Sequence, residues 1–246
     1  YRRAITIEPK LLPAIQGARR VALRQQLFAD ARQYFQAEAE TTRDQRSVAE
    51  CFVNAGKLAA EKLNDLDGAA ADFRQALDAD SLHEEASKCL EELLTKRSSG
   101  GDLADLRTRR AEAKLAKKEI AAAADDFVGA ARILPAEAND REKAIARLDR
   151  ALSILPTHGP ALELKAQLSY DAKDYASAAA AYGLRVQQGG DAKEISALHL
   201  RLGELYHDQL SDLTRAPAPL QSTLAAGSAF FFEDAGEVRP AHLITA

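Results

Sequence analysis

The amino-acid sequence predicts an all-α fold, an α-solenoid of about six helix–turn–helix repeats, on three observations. Aromatic residues make up 6% of the chain, Trp is absent and Ala is abundant. That composition suits closely packed helices better than sheets, which favour β-branched and aromatic residues. Only 13 Gly and 8 Pro interrupt the 246 residues, and amphipathic patterns with helical spacing fill most of the length between them. The chain also matches itself at a fixed interval. Gly56 aligns with Gly203, Leu58 with Leu205, Leu63 with Leu210, Asp65 with Asp212, Leu66 with Leu213 and Ala69 with Ala216, all 147 residues apart.

The elements between these copies follow one rule. An Asp stands four residues before a small or apolar residue as Asp65/Ala69, Asp102/Leu106, Asp140/Ala144, Asp174/Ala178 and Asp212/Ala216. Ala31 keeps the second place with Leu27 in the first, so the second members step by 38, 37, 38, 34 and 38 residues. Each Asp is expected in a short turn, where its carboxylate caps the next helix and matches the positive end of its dipole. Thirteen residues earlier, or twelve in one copy, stands another small residue: Ala18, Gly56, Ala131, Ala166 and Gly203, with Leu93 in the third copy. Small residues at a crossing let paired helices approach to ~8–10 Å. A bulky residue follows four positions after the second small one, as Phe35, Phe73, Leu148, Tyr182 and Leu220, and Arg110 breaks that series.

In chain order, residues 1–9 read as the end of a preceding repeat and 10–227 as the repeat array, with a joint at Ser98-Ser99-Gly100-Gly101. Residues 228–246 read as an irregular tail, in which Phe230, Phe231 and Phe232 are consecutive and cannot share one helix face. Ile-Leu-Pro occurs twice, ending at Pro135 and Pro156, 21 residues apart. Pro156 follows Ala144 by twelve residues, as Ser81 follows Ala69, and so ends a repeat. Pro135 then falls inside a repeat, near the end of its first helix, which it should end or kink. The rival count makes the stretch between the prolines an odd, half-length unit.

A helical hairpin of 34 or a few more residues with small residues at fixed places resembles the tetratricopeptide repeat (TPR), over about residues 1–227. The end pattern aromatic-x-x-Ala-x-x-x-x-Pro is met by Tyr1, Ala4 and Pro9, and by Leu148, Ala151 and Pro156 with Leu in the aromatic place. Phe73, Ala76 and Ser81 meet it in weaker form. Ile15, Val53 and Leu162 replace the large aromatic of the first helix, and the steps above 34 residues resemble TPR-like variants of bacterial proteins. The third copy, with Leu93, Leu106 and Arg110, is the poorest match. The Ala-, Arg- and Asp-rich composition also suggests a bacterial source. The resemblance implies a right-handed superhelix in which each repeat buries its face only against its neighbours. First helices would line a concave groove and second helices the outer wall.

On that reading the groove-facing residues are Arg19, Lys57, Arg132, Gln167, Tyr170, Glu204 and His207. They make a groove that is basic toward the N-terminal repeats, then acidic and aromatic. The expected partner is another protein or a peptide of mixed charge, acidic where it meets Arg19 and Lys57. Asn54 and Lys57 do not reproduce the carboxylate clamp of chaperone-binding relatives. No spacing of Cys, His, Asp or Glu suggests a metal, cofactor or catalytic site. Cys51 and Cys89 are 38 residues apart and are expected as core thiols, since neighbouring first helices keep their Cα atoms beyond disulfide reach.

A net charge of −4 argues against broad binding to nucleic-acid phosphates, and no apolar run approaches the ~18 residues of a membrane helix. A chain that opens on Tyr1 and has no Met reads as a piece of a longer protein. Core thiols favour a cytoplasmic setting. The expected function is that of a non-enzymatic interaction scaffold. The alternatives are a regulatory or substrate-recruiting region of a larger enzyme, and a structural or self-assembling spacer.

Overall fold

The computed structural model describes residues 1–134 and 138–206. Every regular element among them is an α-helix: α1 (Arg2–Ile7), α2 (Leu12–Arg24), α3 (Phe28–Thr41), α4 (Gln45–Lys62), α5 (Leu66–Ala79), α6 (Glu84–Lys96), α7 (Gly100–Ala116), α8 (Ile120–Ile133), α9 (Ala138–Ile154), α10 (Gly159–Asp171), α11 (Tyr175–Gln187) and α12 (Ala192–Glu204). The chain falls into two compact units, Tyr1–Pro135 and Ala136–Ala246. Ala216, Leu220 and the Phe230–Phe232 run lie outside the described residues.

Most of the helices end in one of two ways, and the difference sorts them into first and second members of hairpins; α11, a second helix followed by Gly189 at φ 74°, is the exception. After α2, α4, α6, α7 and α10 one residue takes positive φ: Gln26, Asn64, Ser98, Lys118 and Lys173, at 53° to 64°. The turn is closed by an amide that reaches back to the end of the helix, as from Leu27 to Ala22 O and from Asp174 to Ser169 O. Such left-handed caps satisfy the orphan carbonyls of a helix end and reverse the chain within about three residues. By contrast, α1, α3, α5 and α8 run out into extended backbone at Glu8, Thr42, Asp80 and Leu134. Pro follows Glu8 and Leu134, and a residue before Pro is pushed out of the helical region.

Of the Asp residues expected as caps, Asp65 and Asp174 cap second helices, whereas Asp102 and Asp140 lie inside the first turns of α7 and α9. Asp65 accepts from Gly68 N–H and Asp174 from Ser177 N–H; Asp44 does the same for Ser47 at the start of the first helix α4. These bonds hold all three carboxyls below their usual range.

Hairpins α2–α3, α4–α5 and α10–α11 pack with small residues at their crossings. Ala18, Ala31, Ala69, Ala166 and Ala178 are all buried. A Cβ on Gly56 would come within 2.6 Å of the Phe73 ring, so the ring occupies the place a side chain would need. The Tyr1 ring fills the notch at Gly17 in the same manner. In the first unit, one core joins Phe35 and Ala39 of α3 to Cys51 and Ala55 of α4. A second joins Val53, Phe73, Leu77, Leu90, Leu94, Leu103 and Leu106 across α4 to α7. In the second unit, Ala166, Ala178, Tyr182, Leu198 and Leu202 form the core of α10, α11 and α12.

The middle of the chain departs from the uniform period. Helix α7 packs most extensively against α8, not against α6. Leu106, counted in the sequence as a crossing residue, points into the core shared with α5 and α6. The true crossing residues are Ala123, Phe127 and Ala130 of α8, all buried, in the register of Ala69, Phe73 and Ala76 of α5. Helix α8 is thus the second member of its hairpin, and Ala131 is not a first-helix residue. Pro135 itself lies outside the described residues, but α8 ends at Ile133 as a second helix does. Helix α9 repeats the register alone, with Ala144, Leu148 and Ala151 buried. The 21-residue spacing of the prolines is a real interval, that of one helix. Gly100 and Gly101 form the first turn of α7, and Ser98 supplies the turn before it. A cavity of about 210 Å³ lies among α5, α6 and α7, lined by Leu77, Leu90, Leu94 and Leu106.

Candidate functional site

A hairpin array exposes the free side of each first helix, and the chemistry of that side follows from where its long side chains end. In the first unit α4 and α6 lie next to each other, tied by an ion pair from Lys57 Nζ to Glu85 Oε1. The bond to Glu85 raises the Lys57 ammonium above its usual pKa, and the same bond lowers the Glu85 carboxyl. Arg19 of α2 turns toward α3. Its guanidinium lies 4.4 Å from the Phe35 ring centre and its Nε is 3.0 Å from Glu38 Oε2. That pairing is by charge rather than by an aligned hydrogen bond; Glu38 Oε1 accepts from Gln16 Nε2 at 2.9 Å.

The two cations expected to meet an acidic partner are therefore engaged by the protein's own acids. Exposed on α4 and α6 are acids, Glu50, Glu61, Glu84 and Glu92, and cations, Arg46, Lys62, Lys88 and Lys96, with Asn54 among them. Arg132 is exposed in the last turn of α8, a second helix, and does not share a first-helix face with Arg19 and Lys57. Replacing Arg19 by Glu is expected to lower stability by about 1–3 kcal/mol, because it sets a second carboxylate beside buried Glu38. Urea unfolding followed by far-UV circular dichroism measures this.

In the second unit, Gln167, Tyr170 and Asp171 stand at positions i, i+3 and i+4 of α10 and are all exposed. Gln167 Nε2 donates to Asp171 Oδ1 at 2.9 Å. The Tyr170 ring meets Tyr175 edge to face, 5.5 Å between centres. Glu204 is exposed at the end of α12, and His207 lies outside the described residues.

Two buried ionic clusters escaped the sequence reading. In one, Asp72 of α5 accepts from Arg32 Nε at 2.8 Å and from Gln36 Nε2 at 2.7 Å, and Arg32 Nη1 reaches Asp65 at 2.8 Å. In the other, Asp126 of α8 takes a two-pronged bond from Arg110 and an ion pair from Lys114, both of α7. Arg110 extends its third nitrogen to Glu91 of α6. Burial alone would raise the Asp126 carboxyl; the bonds from Arg110 and Lys114 outweigh it and hold the group below its usual range. The signal was the repeated Asp-Phe pair at 72–73 and 126–127. Both clusters join second helices to their neighbours, so they are fastenings rather than binding groups.

Cys51 and Cys89 are free thiols, and burial pushes Cys51 up to about 11, far from the range of a reactive thiolate. Among the described residues no group of His, Cys, Asp and Glu is arranged to hold a metal ion, and no helix is long and apolar enough to cross a membrane.

No family model and no curated protein matches the chain. Among solved structures it is similar to PilF of Pseudomonas aeruginosa, at 15% identity over 87% of this chain and 97% of that one, with a TM-score of 0.39. The MamA protein is 14% identical over 78% of this chain and 98% of its own, with a TM-score of 0.43. A tetratricopeptide repeat protein of Parabacteroides merdae is 11% identical over 93% and 80%, with a TM-score of 0.38. The chain's own hairpins, each closed by a left-handed turn residue and crossed on small side chains, make it an all-α array of helical hairpins.

Proposed function

We propose that this chain is a non-enzymatic scaffold that holds a segment of another protein against the exposed faces of its first helices. The carrying observation is the split between two kinds of surface. Asp72, Asp126 and Lys57 are taken up in ion pairs between helices, whereas the free sides of α4, α6 and α10 expose Asn54, Glu92, Gln167 and Tyr170. A repeat array concentrates its binding on such an extended surface. The test installs a photo-crosslinking amino acid at Asn54 or Gln167, and at Arg74 or Gln187 on second helices. Irradiation in an extract of the source organism is expected to give one discrete adduct from the first pair and none from the second. Equal labelling from both pairs would refute the reading.

A further inference from the structure

The end of the α10–α11 hairpin carries an exposed ring, Tyr170, and an exposed carboxylate, Asp171. Tyr170 is 42% exposed, an unusual place for a ring in a chain with 6% aromatic residues. It is supported edge to face by Tyr175, which fixes its plane without covering it. Asp171 stands beside it on the same exposed face, oriented by Gln167, and Asp174 follows across the turn with its carboxylate tied to Ser177. Two carboxylates and two rings thus surround one hairpin tip, with the exposed Lys173 as the cation between them. Lys165, the next cation along α10, is bound to Asp149.

Aromatic faces carry negative potential and attract ammonium and guanidinium groups within about 6 Å. The protein uses this attraction internally: Arg19 sits over Phe35, and Lys62 lies 5.9 Å from the centre of Phe28. Phe28 and Tyr175 are both the first residue of a second helix. In the first unit the ring at that place is met by a lysine of the following hairpin. In the second unit Tyr175, half-buried against the core, is met by the ring of Tyr170, which is exposed.

We infer that the Tyr170–Tyr175 tip, with Asp171 and Asp174, docks a cationic side chain of a partner protein, with arginine fitting best. A planar guanidinium stacks on a ring and hydrogen-bonds a carboxylate at once. This rests on the first-helix face being the docking face, and it names the chemistry of the second unit's share of it.

The test is a titration of the whole chain with tri-arginine, tri-citrulline and tri-glutamate peptides, read from the ring proton resonances of its tyrosines. Tri-arginine is expected to shift two tyrosine spin systems and the others little. Tyr170→Leu should weaken tri-arginine binding about three- to fivefold, the range expected of an exposed cation–ring contact, while Tyr170→Phe stays within about twofold. Helix content by circular dichroism should be unchanged in both variants, since the side chain is exposed. Equal response to citrulline, a preference for glutamate, or no effect of Tyr170→Leu would each overturn the inference. Failure here with intact crosslinking from Asn54 would remove the cation site alone. A tri-arginine response without first-helix crosslinks would remove the scaffold reading and leave the site.

Discussion

Phe127→Ala is expected to destabilise the α7–α8 hairpin by about 3–5 kcal/mol, the range for emptying a buried aromatic position. Phe127 is 1% exposed and is flanked one turn away on each side by Ala123 and Ala130, both fully buried. Small residues on either side leave little for the structure to collapse with, so the cavity should persist. Because each hairpin in a linear array is stabilised by its nearest neighbours, the loss should stay local. Amide exchange measured by mass spectrometry should quicken in peptides from α7 and α8 and stay unchanged in α2 and α3. Uniform protection across 100–133 in the variant would show that α7 and α8 are not a hairpin.

That residue also marks where the sequence could be read and where it misled. From α2 to α5 and again at α10 and α11, small residues recur at the places where helices cross, and counting them finds the hairpins. Between them the second-helix register advances by 54 residues, from Ala69 to Ala123, and then by 21, to Ala144. The sum, 75, is what a uniform count divides as 37 and 38, so an even period closes on an uneven chain. Two first helices in succession, α6 and α7, are later balanced by α9, a second helix standing alone. The correction was available: Phe127, Ala130 and Pro135 meet the end pattern with its aromatic in place, better than Leu148, Ala151 and Pro156 do.

The candidate site was legible as backbone and not as charge. Helical arithmetic places the Cα of Arg19 or Lys57 on a face. It does not say where a long side chain ends, and each ends on an acid of a neighbouring helix. Tyr170 and Gln167, with shorter reach or less charge to neutralise, stay where the arithmetic puts them. The clusters around Asp72 and Asp126 were hidden for a related reason. Their partners lie 12 to 40 residues away in the chain, and only the pairing of helices brings them together.

Asp126→Ala should cost about 2–4 kcal/mol, below the full loss for a wholly buried ion pair because Arg110 and Lys114 are each about a quarter exposed. The loss comes mostly from the cations left behind. Arg110 keeps Glu91, but Lys114 and two of the three guanidinium nitrogens lose the acceptor they were aimed at. It follows that removing both sides should hurt less than removing one: Arg110→Leu with Asp126→Leu is expected to recover a good part of what Asp126→Leu alone loses. Acid gives the same information without a large change in shape. The native carboxyl binds its proton less readily than the unfolded one, so its contribution is fully present above the unfolded value of about 3.9. It is lost as pH falls through the lower native value. Asp126→Asn has no proton to take up at this site, so its stability should fall less steeply than that of the wild type between about pH 5 and pH 3, in urea unfolding followed by circular dichroism. Parallel slopes for the two proteins would mean that Asp126 is not the group that fastens α8 to α7, and that apolar packing through Phe127 holds the hairpin without it.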